Sequence, residues 1–116
     1  KVARDVIPRE LRKLGATVDV IEAYETVIPQ RSRLQLQRLM KDPQQRPDII
    51  TFTSSSTVRN FLALSRNRGT KELAEVKFAS IGPVTSATLR ELGLRADIEA
   101  RKYTVPGLIQ AISNSR

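Results

Sequence analysis

The side chains best placed to do chemistry here are hydroxyls. Ser54, Ser55, Ser56 and Thr57 follow an apolar run, Thr85 and Ser86 follow Gly82-Pro83-Val84, and Thr104 precedes Val105-Pro106. Tyr24 lies in a β-branched stretch, and Tyr103 is the only other tyrosine. The chain holds no Cys and no His, which excludes a thiolate nucleophile, an imidazole base, a disulfide and a zinc site of ordinary ligands. A phenol can give a proton or a hydrogen bond to a leaving oxygen, so Tyr24 is among the few acids left. A strand tyrosine is nonetheless by default a packing residue with a wet hydroxyl, and Tyr103 has the same default. Asp42 and Asp48 have no partner carboxylate at a useful spacing and read as a turn residue and a strand-entry residue. Neither GxxxxGK[ST] nor GxGxxG occurs, which disfavours nucleotide binding of those kinds.

Alternating patterns must position these groups. Val2, Val6, Ile7, Leu11 and Leu14 are near helical spacing, with Gly15 as a stop and Pro8 either kinking the helix or opening its second part. Thr17–Val27 reads as a long strand. Leu34–Met40 is a short amphipathic helix closed by Asp42-Pro43. Asp48–Thr53 is a compact strand running straight into a helix whose face is Val58, Phe61, Leu62 and Ser65, with Asn67 and Gly69 to end it. Leu73, Val76, Phe78, Ala79 and Ile81 build a third strand, stopped at Gly82-Pro83. Thr85-Ser86 can cap a helix through Leu89 and Leu92 to Gly93. Arg95–Ala100 is a weaker edge strand with Asp97 and Glu99 on one face. Thr104 caps a last helix, with Pro106 in its first turn and Leu108, Ile109 and Ile112 on its buried side.

Such alternation predicts an α/β fold, a parallel sheet with helices on both faces, whose ligands bind in the loops at the carboxyl ends of the strands. Those loops are Ser54–Thr57, Gly82–Ser86 and Ala100–Thr104, each with hydroxyls at a predicted helix start. Helix starts offer unpaired N–H groups and partial positive charge to carboxylates or phosphates, whereas a single hydroxyl there can equally be a plain cap. Three such turns on one edge suggest a binding edge, without naming a reaction.

The 116 residues, 40% hydrophobic and 28% charged, fit one globular domain or less. No run approaches the roughly 18 apolar residues of a membrane span, and Lys1–Glu10 has no signal-peptide core. The chain begins at Lys1 in what reads as the inside of a helix, and so reads as a fragment. Twenty Lys and Arg against twelve Asp and Glu give +8, a surface suited to an anion. The cations are spread rather than clustered and aromatics are few, which argues against a nucleic-acid partner.

Taken in series, Leu11–Thr26, Asp48–Ser56, Phe78–Thr85, Gly93 and Ala100–Leu108 resemble the carboxyl-terminal half of uroporphyrinogen-III synthase. Each motif is loose, but their order and spacing match over nearly the whole chain. The resemblance implies a cofactor-free enzyme of tetrapyrrole and heme biosynthesis, a cytoplasmic lyase. Its substrate is a small-molecule polycarboxylate, the linear tetrapyrrole hydroxymethylbilane, which is closed with inversion of ring D. It implies two flavodoxin-like domains joined by a two-stranded ladder, with the active site in the cleft between them. Residues 1–27 would be the last helix of one domain, Arg4–Leu14, and the connecting strand, Thr17–Val27. Residues 28–116 would be most of the second domain, lacking its first strand and helix. The complete protein is expected to be a monomer without nucleic-acid or membrane partners. The fragment alone is expected to be inactive, and unstable or inclined to borrow a strand from another copy.

By the same resemblance, Tyr24 matches the tyrosine proposed to assist departure of the substrate hydroxyl. Ser54, Ser55 and Ser56 match a loop that holds substrate carboxylates, Gly82, Pro83, Val84 and Thr85 match a second, and Thr104 matches a hydroxyl position on a third. Family members often have Thr-Thr after Gly-Pro, so Val84 is a departure that removes one hydroxyl. Two other readings are a non-catalytic flavodoxin-like module holding an anionic small molecule, and a basic nucleic-acid-binding domain. The motif series, not the net charge, separates the enzyme from both.

Overall fold

The computed structural model describes residues 2–20, 30–42, 44–64 and 75–115. In chain order its elements are α1 (Val2–Lys13), α2 (Gln30–Lys41), β1 (Ile49–Phe52), α3 (Ser55–Leu64), β2 (Lys77–Ser80), α4 (Pro83–Glu91), β3 (Ile98–Glu99) and α5 (Val105–Asn114). The strands form one parallel sheet in the order β1-β2-β3. Ile49 pairs with Lys77 and Phe52 with Ser80, while Ala79 pairs with Ile98 and Ser80 with Glu99.

Side chains of period two divide the core between the two sheet faces. Ile50, Phe52 and Phe78 pack with Leu36 and Met40 of α2, Val58 and Phe61 of α3, and Leu89 of α4. Ile49, Ala79 and Ile98 point the other way and pack with Leu11 of α1 and Leu108 and Ile112 of α5. The three phenylalanines of the first cluster meet at centroid distances of 5.5, 5.8 and 6.1 Å, two of the pairs edge-to-face. Such pairs add about 0.5–1.5 kcal/mol each beyond the burial itself. Helices thus cover both faces of the sheet, the flavodoxin-like arrangement that the alternation predicts.

The glycine stops act as expected. Gly15 has φ +92° and Gly93 φ +83°, left-handed values that suit glycine. In each case the next residue's N–H reaches back five positions, Ala16 to the Leu11 carbonyl and Leu94 to the Leu89 carbonyl, and the glycine N–H reaches back three. Pro8 does not divide α1: it is buried within one continuous helix. Asp42 serves as a turn residue, its carboxylate accepting from the Gln44 N–H at 3.0 Å. Asp97 does more than face solvent: one oxygen accepts the Phe78 N–H at 2.8 Å and the other the Arg95 Nε at 2.9 Å, which ties the start of β3 to β2.

Two predictions need revision. Residues 16–20 form no strand, although Val18 packs against the second cluster, and the remainder of Thr17–Val27 lies outside the described residues. Pro43, Ser65, Asn67, Gly69 and Leu73 also lie outside them. The helix expected to be capped by Thr85-Ser86 begins earlier, at Pro83, because a proline is pre-organised for the first helical position and needs no N–H partner there. Among the described residues, no helix is long and apolar enough to cross a membrane.

The start of α5 contains the tightest approach. A Cβ on Gly107 would stand 2.1 Å from the Lys102 carbonyl oxygen, while Thr104 accepts the Gly107 N–H at 3.0 Å. Thr104→Ala should therefore cost about 1 kcal/mol, the loss of a cap. Gly107→Ala should cost more, about 2–3 kcal/mol, because the 100–104 loop must move. Urea unfolding of the full-length protein checks this, and equal costs would mean that the close approach constrains nothing.

Candidate functional site

Parallel pairing puts the ends of β1, β2 and β3 on one edge, so the starts of α3, α4 and α5 share it. None of the three helices has an acidic residue in its first turn. No acidic residue of the helices' own first turns offsets their partial positive charges, and the edge favours an anion.

At the first turn most of the expected donors are engaged within the protein. The Ser54 hydroxyl accepts the Thr57 N–H at 3.2 Å, and Thr57 Oγ1 accepts the Ser54 N–H at 3.3 Å, a reciprocal cap of α3. Thr57 Oγ1 also donates to the Ser54 carbonyl at 2.7 Å. Ser55 Oγ lies 2.7 Å from Thr88 Oγ1, linking α3 to α4, and Ser56 is half-buried. Ser54 and Ser55 therefore have structural partners, and their hydroxyls serve the fold first.

The second turn is built differently. Gly82 precedes α4 in extended conformation, and no side chain caps this helix. Pro83 and Val84 are exposed, Val84 at 76%, whereas Thr85 is 4% exposed and Ser86 wholly buried. Beneath the turn runs a hydroxyl network. Ser80 Oγ donates to the Gly82 carbonyl at 2.7 Å and accepts the Gly82 N–H at 3.2 Å. Ser86 Oγ lies 2.8 Å from Ser80 Oγ and also meets the Glu99 carboxylate. A serine beside a carboxylate resembles a nucleophile with its base, but Ser86 has no surface for a substrate to reach. The network fixes the turn from below, and α4 starts above it with no side-chain cap.

The third turn carries charge and an aromatic ring. Arg101, Lys102, Tyr103 and Thr104 are all exposed, and Thr104 caps α5. Tyr103 lies against the second turn, since a Cβ on Gly82 would stand 3.2 Å from its Cγ and Cδ1. Tyr24 lies outside the described residues.

Sequence reasoning thus finds the three turns, and of its two readings of the hydroxyls the capping one describes Ser54 and Thr104. It missed Ser80, Ser86, Thr88 and Glu99 as the groups that hold the turns together. Ser80, a polar residue closing an apolar strand, carries the one signal that could have pointed to them. The edge as built offers backbone N–H groups at an uncapped helix start, two exposed cations and an exposed ring. That suits binding a carboxylate better than attacking a substrate.

The sequence that builds these turns is similar to those of known proteins. The family model described as Uroporphyrinogen-III synthase HemD matches residues 1–110. A uroporphyrinogen-III synthase of Synechococcus elongatus is 41% identical over 113 residues, which cover 94% of this chain and 42% of that protein. One of Chlorobaculum parvum is 31% identical over 110 residues, covering 94% of this chain and 43% of that protein. This chain therefore spans less than half the length of these relatives. On the match over residues 1–110, the chain belongs to the uroporphyrinogen-III synthase family.

Proposed function

We propose that this chain supplies one wall of a cleft in which hydroxymethylbilane is closed to uroporphyrinogen III with inversion of ring D. The observation that carries the reading is the family match over residues 1–110, on an edge where three helix starts lack acidic residues. A polycarboxylate substrate would meet complementary charge there. The two-domain division, with residues 1–27 bridging to a partner domain and 28–116 forming most of the second, belongs to the same proposal. So do the cytoplasmic setting and the monomeric state of the complete protein.

The chemistry asks little of the protein in the way of reactive groups. Loss of the terminal hydroxyl as water leaves an azafulvene. A ring D carbon attacks it to give a spiro intermediate, which fragments and recloses in the inverted sense. No external oxidant or reductant enters, and the protons return to the medium. The competing path is spontaneous closure without inversion, so the protein's task is to hold the ends of the substrate in the geometry that inverts. The Gly82–Thr85 turn would take a carboxylate on backbone N–H groups, with the Ser54–Ser56 and Thr104 turns flanking it. Tyr24 would hydrogen-bond the departing oxygen.

Giving fresh hydroxymethylbilane to the full-length protein and separating the oxidised products by isomer tests this directly. Isomer III above the enzyme-free background is expected, and isomer I alone from a folded protein would leave only an anion-binding module. Tyr24→Phe should lower turnover about tenfold, the worth of one hydrogen bond of roughly 1.4 kcal/mol, without shifting the unfolding midpoint. Unchanged turnover would reduce Tyr24 to packing. Ser55→Ala should cost about 1 kcal/mol of stability through the lost bond to Thr88 and little activity, whereas Gly82→Leu should abolish most activity by pushing Tyr103 and the turn apart. The opposite ranking in steady-state assays would put substrate binding on the Ser55 hydroxyl.

A further inference from the structure

A single exposed apolar side chain is ordinary on a protein surface, so position and support decide whether one carries meaning. Val84 at 76% and Tyr103 at 64% are the two most exposed large hydrophobic residues among those described, and both sit on the carboxyl edge. Their loops touch where Tyr103 meets Gly82, and Pro83, also exposed, lies between Gly82 and Val84 in sequence. The phenol ring is backed by main chain on one side and left in solvent over most of its surface. The other aromatic residues described, Phe52, Phe61 and Phe78, are all in the core. Arg101 and Lys102 immediately precede the ring and are exposed.

We infer that Pro83, Val84 and Tyr103 form a shelf on which one pyrrole ring of the substrate stacks, with Arg101 and Lys102 meeting that ring's carboxylate arms. The inference rests on the substrate reading above and deepens it. A pyrrole bearing carboxylates has an apolar face and an anionic rim, and the shelf would offer a complement to each: exposed apolar side chains at Pro83, Val84 and Tyr103, and exposed cations at the two residues that precede the ring. Val84 then has a use that a threonine would fill less well, since its methyls extend the apolar surface. The shelf binds by area and ring face, not by the phenol oxygen, and so differs in kind from the role given to Tyr24. Gly82 matters as the surface on which the ring lies.

Two measurements test the shelf separately from turnover chemistry. In the full-length protein, pyrrole-3,4-dicarboxylic acid should move the Tyr103 ring-proton signals upfield, those signals being assigned by their loss in Tyr103→Leu. Succinate at equal concentration should leave them in place. With hydroxymethylbilane, Tyr103→Leu should raise KM about fivefold with kcat nearly unchanged and Tm unmoved, while Tyr103→Phe should behave as the parent, because the ring is kept. Equal shifts with succinate, no shift with the pyrrole diacid, or an unchanged KM in Tyr103→Leu would each overturn the shelf. If the parent protein yields only isomer I, the substrate reading fails by itself, and the diacid titration still reports on the shelf.

Discussion

The edge of this molecule depends on one central strand. β2 is hydrogen-bonded to a parallel neighbour on each side, and its side chains are buried on both faces from Phe78 to Ser80. Phe78 anchors one core cluster and Ala79 the other, so the strand cannot shift by a residue without exchanging the two. That register fixes where Ser80 falls, and Ser80 fixes the Gly82 turn through two hydrogen bonds. The start of α4 is therefore set by the ladder, and with it the direction in which its unpaired backbone groups face.

A second consequence follows from burying hydroxyls under this turn. A buried polar group must find partners, and the network of Ser80, Ser86, Glu99 and the Gly82 backbone is such a closed set. Among the described residues no buried side-chain nitrogen or oxygen lacks a partner. Satisfied networks of this kind are stiff, because loosening one bond exposes the others to an apolar surround. The Ser55–Thr88 bond joins α3 to α4 in the same manner. The turns of the carboxyl edge thus rest on a rigid bed.

Much of this was legible in the sequence, and the parts that were not share a cause. Local signals held: Gly15 and Gly93 end helices because their backbones adopt positive φ, and Thr104 caps α5 as its position before Val105-Pro106 predicts. The strands at Ile49–Phe52 and Lys77–Ser80 are short apolar runs that stop at turn residues. The failures concern partners distant in sequence. Ser55 reads as either an anion donor or a plain cap at a helix start until Thr88, thirty-three residues on, is seen beside it. Glu99 reads as one of two acids on a half-exposed edge strand until Ser86 is placed against it. One exception is local: Thr85 reads as a cap, although Pro83 two residues before it marks the helix start.

The engagement of the hydroxyls changes what kind of recognition the edge can perform. A hydroxyl free to rotate would adapt to whichever carboxylate arrived, but one committed to a cap or an interhelix bond cannot do so without loss. On the proposed function, recognition would pass to groups whose directions are fixed by the fold: backbone N–H groups at the start of α4, the exposed ring of Tyr103 backed by Gly82, and the cations at Arg101 and Lys102. Fixed donors distinguish poorly among carboxylates, yet they hold whichever one they take in a set place. For the substrate proposed above, with many similar carboxylates on a flexible chain, that would be the more useful property. On that proposal the outcome to be controlled is which carbon meets the reactive end, and fixing one ring in space would limit the arrangements that the rest of the chain can reach.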